Sequence, residues 1–166
     1  EEILDGPRHD RSPAYGGWGF ADERHPWPVS DCTAEALEAL MRVERAGMGS
    51  EAGRLHLGRK LAALEFVLLR QNDDGGFGSY EERRGSMLLR HFNPSEIYGN
   101  CMVEYSYTEC TAGCVRGLAS ASRELSSDLP PDLAGRIQHA VARGVEFLRQ
   151  QQHESGGWLG FWGINL

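Results

Sequence analysis

Four stretches of the chain carry apolar residues at helical spacing. The first, from Asp31 to Ala46, is predicted to be a helix that Ser30 caps and Gly47 ends. Its apolar side is formed by Leu37, Leu40, Met41 and Val43. A second helix is predicted from about Ala52 to Gln71, with a broad apolar face formed by Leu61, Leu64, Phe66, Val67 and Leu68.

The second half of the chain shows the same arrangement. A third helix is predicted from Thr108 to Leu125, and the Pro130-Pro131 pair opens a fourth. The apolar positions of the fourth helix are Ile137, Val141, Val145 and Leu148. The pattern therefore predicts two helical pairs and an all-α fold.

An internal repeat links the two halves. The stretch FVLLRQNDDGGF at 66–77 recurs, 81 residues later and without a gap, as FLRQQQHESGGW at 147–158. The segment Asp31-Cys32-Thr33-Ala34 recurs after 78 residues as Glu109-Cys110-Thr111-Ala112, and a third Gly-Gly-aromatic turn stands at 16–18. Repeated helical hairpins must stack to bury their apolar faces, which indicates an α-solenoid or a closed α/α toroid. The repeat units are about 16–77 and 78–158.

The connection between Phe77 and Glu109 is long and irregular. An ordered loop of this length is usually functional. Several aromatic residues argue against disorder here: Tyr80, Phe92, Tyr98, Tyr105 and Tyr107.

Composition excludes some functions. The net charge of −7 over 166 residues argues against nucleic acid as a partner. No run of apolar residues is long enough to cross a membrane, and the first residues, Glu1 to Asp5, do not form a signal peptide. The spacing of Cys32, Cys101, Cys110 and Cys114 fits no zinc ribbon or finger, so we expect no metal and reduced, largely buried thiols.

Several sequence blocks resemble one enzyme family. The Gln-x-x-x-Gly-Gly-aromatic units are similar to the QW repeats of triterpene cyclases, and the segment PVSDCTAE at 28–35 resembles a signature of oxidosqualene cyclases. Further similar blocks follow in the same order at 93–96, 105–111 and 160–163. The resemblance extends from Gly16 to Gly163. It implies part of the catalytic C-terminal α/α toroid (an α6/α6 barrel), incomplete here, and we expect the chain to be a fragment or a truncated product.

The resemblance also implies an isomerase activity on (3S)-2,3-oxidosqualene, giving a lanosterol-class or cycloartenol-class product. Asp31 would be the general acid that protonates the epoxide, with Cys32 and Cys110 hydrogen-bonded to its carboxyl group. Glu35, one turn further along the helix, would belong to the shell that reprotonates Asp31. Judged without the resemblance, Asp31 is an ordinary acid at a helix N-terminus and the two cysteines are core residues.

Cyclisation moves positive charge along a hydrocarbon, and aromatic faces stabilise such charge without trapping it. By resemblance, Phe20 and Trp162 line this path and Tyr80 stands near the final deprotonation. Judged alone, each is a core aromatic residue. Two more positions bear on the product: His25 resembles cycloartenol-forming relatives, whereas Val29 resembles lanosterol-forming ones.

The resemblance implies a lipid substrate, no cofactor and no metal. It also implies monotopic attachment to the cytoplasmic side of a membrane, the endoplasmic reticulum or lipid droplets in a eukaryote, through parts of the enzyme absent here. We expect the isolated chain to be inactive.

The alternative identities are a squalene-hopene cyclase, a protein prenyltransferase β-subunit, which would need a zinc site, and a non-catalytic helical-repeat fragment. The product, the final base and the oligomeric state stay open.

Overall fold

The computed structural model describes residues 12–21, 26–48, 54–94 and 103–160. Two very short antiparallel strands, β1 (Trp18–Gly19) and β2 (Pro28–Val29), precede the first helix. The four α-helices are α1 (Ser30–Arg45), α2 (Leu57–Leu68), α3 (Thr108–Glu124) and α4 (Pro131–Gln151). A 3₁₀ helix at Met87–Phe92 lies between α2 and α3. The all-α fold predicted from the apolar pattern is therefore confirmed.

The predicted helix bounds need two corrections. The second helix begins at Leu57, later than expected, and ends at Leu68. It ends early because the backbone of Gln71 pairs with that of Phe77 in an isolated β-bridge. The cap of α1 is Val29 and has no side-chain hydrogen bond, so Ser30 is not the cap. Val43, expected on the apolar side of α1, is exposed.

The helices form two layers. α1 packs most extensively against α3, α4 packs on α3, and α2 packs on α1, while α2 and α4 make little contact. The main core lies among them and is built largely from aliphatic and small residues. Its most deeply buried members include Leu37, Leu64, Phe66, Phe77, Leu118 and Ile137.

The repeated turns have the same conformation. Gly75 and Gly156 have φ of 89° and 87°, a left-handed conformation that favours glycine. In the turn at 75–77, Gln71 Nε2 donates to the Gly75 carbonyl oxygen at 2.9 Å. In the turn at 156–158, Gln152 Nε2 donates to the Gly156 carbonyl oxygen at 2.8 Å. The sequence repeat is thus a structural repeat.

The turns at 16–18 and 75–77 each dock on the helical pair that follows. The backbone N–H of Trp18 donates to Thr33 Oγ1 at 2.8 Å, and the N–H of Phe77 donates to Thr111 Oγ1 at 2.9 Å. Because Thr33 and Thr111 are themselves repeat mates, the same contact recurs along the chain. In the turn at 156–158, by contrast, a Cβ added to Gly156 would meet no atom within 4 Å among the described residues.

The irregular connection between Phe77 and Glu109 buries some of its aromatic residues and exposes others. Tyr105 and Tyr107 are buried, whereas Tyr80 and Phe92 are exposed. Tyr98 lies outside the described residues. Among the described helices, none combines the length and apolar character needed to cross a bilayer.

Candidate active site

The packing of α1 against α3 brings the two acid-Cys-Thr-Ala segments together. Asp31 lies in the first turn of α1, and Cys110 lies in the first turn of α3. The Cys110 Sγ donates to Asp31 Oδ2 at 3.4 Å, across 79 residues of sequence. Asp31 Oδ1 accepts the backbone N–H of Cys32 at 2.7 Å. The carboxyl group is therefore held at both oxygens, once from its own helix and once from the repeated segment on α3.

Two glycines on α3 permit this close approach. A Cβ on Gly113 would lie 3.2 Å from Asp31 Cβ, and one on Gly117 would lie 2.8 Å from both the Cβ and the carbonyl oxygen of Ala34. At Gly117 a side chain would force the helices apart, whereas at Gly113 it would make a tight contact. The spacing of four residues places both glycines on one face of α3. These glycines let the two backbones come close enough for Cys110 to reach Asp31.

The thiols around Asp31 are held in their neutral form. Burial raises the pKa of Cys32 to about 11, and the neighbouring Asp31 carboxylate adds to the effect. Burial, followed by the charge of Asp31, raises the pKa of Cys110 well above its usual range. The neutral Cys110 thiol is thus a weak donor that orients the carboxyl group. It adds no negative charge of its own beside that group.

Glu35 lies one turn after Asp31 and faces α3. Its carboxylate forms an ion pair with Arg116 at 3.0 Å. Arg116 also binds the buried carboxylate of Glu38 at 2.9 Å, so a single guanidinium joins α3 to two turns of α1. Both partners of the Glu35 pair are half-exposed, so it contributes little stability in water. The pair directs the Glu35 carboxylate toward Arg116 on α3.

Phe20 and Tyr80 line the same cavity, whose volume is about 710 Å³. Phe20 is 73% exposed and Tyr80 is 37% exposed, so the cavity is open among the residues that the structure describes. Burial raises the pKa of Tyr80, and the charges of the Glu104 and Asp31 carboxylates add to this. Tyr80 therefore lies within electrostatic range of Asp31. We call Asp31, Cys32 and Cys110 together the Asp31 cluster.

The remaining predicted residues are placed as follows. Val29 is buried in β2, immediately before α1, and its backbone pairs with Trp18. His25 and Trp162 lie outside the described residues. In residues 12–21, 26–48, 54–94 and 103–160, no three His, Cys, Asp or Glu side chains are grouped so that they could hold a metal ion.

Sequence reasoning missed several residues of the site. No short sequence motif predicts a role for Arg116 or Glu104, because the groups that they bind are remote in sequence. Gly113 and Gly117 could have been found, since a Gly-x-x-x-Gly spacing inside a helix indicates a face that another helix approaches closely. Ser30 was expected to cap α1. Instead its hydroxyl donates to the Gly78 carbonyl at 2.6 Å and ties α1 to the segment before Tyr80.

Comparison with known proteins gives a consistent result. Residues 5–166 match the family of the squalene-hopene cyclase C-terminal domain. A cycloartenol synthase from Dictyostelium discoideum is 37% identical over 164 residues, which is 99% of this chain and 22% of that protein. A lanosterol synthase from Homo sapiens is 36% identical over 170 residues, covering 98% of this chain and 22% of its own length. A lanosterol synthase from Gibberella zeae is 35% identical over 165 residues, covering 99% and 21%. The chain thus spans about a fifth of the length of these relatives.

Proposed function

Because the chain belongs to the family of the squalene-hopene cyclase C-terminal domain, we propose that it is part of an oxidosqualene cyclase. The family's domain is an α/α toroid, and the four helices described here are an incomplete part of one. The proposed reaction is the cyclisation of (3S)-2,3-oxidosqualene to a tetracyclic triterpene. The names of the relatives, lanosterol synthase and cycloartenol synthase, support this choice over squalene as substrate. The single observation that carries the proposal is the contact between Asp31 and Cys110.

Asp31 is the proposed general acid. An epoxide oxygen accepts a proton as its C–O bond opens, which requires a carboxylic acid that is neutral and correctly aimed. A neutral thiol at 3.4 Å suits this task better than a cationic partner, which would favour the carboxylate. Cys32 supports the other oxygen through its backbone N–H. Glu35, held by Arg116, is proposed to belong to the shell that returns a proton to Asp31.

The cavity beside Tyr80 is the proposed path of the cationic intermediates, although its described lining does not include Asp31 and carries three glutamates and an arginine beside the aromatic rings. Phe20 and Tyr80 offer aromatic faces, each worth up to about 2 kcal/mol to a desolvated cation. Trp162 is proposed to extend this aromatic lining. Val29 and His25 are proposed to influence which product forms, and their resemblances point to different products. The repeat units, at about 16–77 and 78–158, are proposed as the building blocks of the toroid.

Such an enzyme would take its substrate from a lipid phase. We therefore propose monotopic attachment to the cytoplasmic side of a membrane, the endoplasmic reticulum or lipid droplets in a eukaryote, through other parts of the complete cyclase. The lipid substrate named by the reaction supports this proposal.

The test is Asp31→Asn in a complete cyclase that carries this segment. The amide keeps the shape of the side chain but cannot deliver the acidic proton, so we expect a loss of at least about 100-fold in product. Asp132→Asn is the matched control, because Asp132 is also a first-turn helix acid but lies exposed on α4. Gas chromatography of lipid extracts measures the product. Substantial product from Asp31→Asn would mean that another residue is the acid.

The isolated chain tests how much of the enzyme the reaction needs. The cavity described here is open, and water would intercept a carbocation in it. We therefore expect no tetracyclic alcohol when the purified chain is incubated with racemic 2,3-oxidosqualene. Product above a protein-free control would show that this part closes a cavity by assembling with other copies.

A further inference from the structure

Glu104 precedes α3 and reaches back to the segment that carries Tyr80. Its Oε1 accepts the backbone N–H of Tyr80 at 2.7 Å and also that of Ser79. The side chain is partly buried and lines the same cavity as Tyr80. A carboxylate that accepts two successive backbone N–H groups holds that stretch of backbone in one conformation.

The same stretch is held from its other side by the start of α1. The Ser30 N–H donates to the Ser79 carbonyl at 2.8 Å, and the Ser30 hydroxyl donates to the Gly78 carbonyl at 2.6 Å. A Cβ on Gly78 would lie 2.2 Å from the Glu81 carbonyl oxygen and 2.8 Å from Glu104 Cγ, so the turn itself, and the approach of Glu104 to it, both need a glycine here. The segment Gly78–Tyr80 is thus clamped between Ser30 and Glu104.

This clamp connects Tyr80 to the proposed acid. Ser30 is adjacent to Asp31 at the start of α1, so anything that fixes Ser79 against Ser30 also fixes Tyr80 relative to Asp31. Burial raises the pKa of Glu104 even though backbone N–H groups favour its charged form. Burying an acid in this way costs free energy, which the backbone N–H bonds from Ser79 and Tyr80 offset in part.

We propose, on the basis of the proposed cyclase function, that Glu104 is a positioning residue that sets where the Tyr80 wall of the cavity stands relative to Asp31. Glu104 makes no described contact with Asp31, so it acts through Tyr80. Its loss therefore changes which product the cyclase releases more than it changes how fast the epoxide opens. A residue of merely structural importance would lower all products together.

Three variants of the complete cyclase test this proposal. Glu104→Ala removes both acceptor bonds, and Glu104→Gln keeps one carbonyl oxygen as an acceptor while removing the charge. Glu124→Gln is the control, because Glu124 is also a glutamate near an end of α3 but pairs with Arg45 away from the cavity. We expect Glu104→Ala to change the ratio of main to minor products about tenfold, with substrate consumption changed far less. We expect Glu104→Gln to restore most of the wild-type ratio.

Hydrogen exchange supplies a readout that does not depend on catalysis. In Glu104→Ala, the amides of Ser79 and Tyr80 should exchange about tenfold faster or more, while Glu104→Gln and Glu124→Gln stay close to wild type. Unchanged exchange in Glu104→Ala, or faster exchange with an unchanged product ratio, overturns the proposal. A wild-type cyclase that makes no product from oxidosqualene refutes the proposed function instead. The exchange rates would then still decide whether Glu104 holds the segment.

Discussion

Replacing Gly117 by alanine tests the close packing of α1 on α3. The added Cβ would lie 2.8 Å from the Cβ and carbonyl oxygen of Ala34, and 3.0 Å from its carbonyl carbon. Two of these atoms belong to the backbone, so the methyl group cannot be accommodated by rotating a side chain. The helices must separate, which is an overpacking change that costs about 1–3 kcal/mol.

An opposing term reduces this cost. Alanine is favoured over glycine inside a helix by about 1 kcal/mol. The expected net loss in the free energy of unfolding for Gly117→Ala is therefore up to about 2 kcal/mol. Gly135 on α4 provides the matched control, because a Cβ there meets nothing within 4 Å in the described part of the chain. Gly135→Ala should gain about 0.5–1 kcal/mol from helix propensity alone.

Urea unfolding of the chain in mild non-ionic detergent, followed by circular dichroism, measures both variants against wild type. Gly117→Ala should unfold at lower urea and Gly135→Ala at higher urea. If both alanines stabilise the chain equally, α1 and α3 are not in the contact described here. Because Cys110 reaches Asp31 across this same helix pair, Gly117→Ala should also slow cyclisation in a complete cyclase.

Two further predictions concern the turns and the thiols. Gln71→Ala should lower the free energy of unfolding by about 1–2 kcal/mol, because Gln71 Nε2 bonds both the Gly75 and the Ala140 carbonyls and joins the two repeat units. Gln152→Ala should cost less, since Gln152 Nε2 bonds the Gly156 carbonyl within its own turn; equal losses in urea unfolding would contradict this reasoning. Alkylation should be slow at the Asp31 cluster. Because the pKa of Cys32 rises from 9.0 to about 11, its thiolate at about pH 8 should be about 100-fold scarcer than in the urea-unfolded chain. Mass spectrometry after iodoacetamide treatment should show Cys110 to be slower still, and labelling of Cys110 in the folded chain at its unfolded rate would refute the burial described here.

The helices and the repeated turns followed from the amino-acid sequence. Apolar spacing and a proline pair are local signals, and they located both ends of α3 and the start of α4 to within a residue. The 81-residue repeat was equally informative, since two similar short motifs with glycine at the same positions adopt the same turn. The start of α2 was misjudged, because helix propensity around residues 54–56 did not decide where the helix begins.

The site required the tertiary structure. Serine is a common helix-capping residue, yet the hydroxyl of Ser30 donates to a carbonyl oxygen 48 residues away. Asp31 and Cys110 carry matching motifs, but their contact depends on how closely Gly113 and Gly117 let two helices approach. Glu104 gave no signal, because its partners are backbone N–H groups, which every residue except proline carries. Local patterns specify which segments become helices, whereas contacts across many residues depend on packing distances, and no short stretch of sequence encodes those.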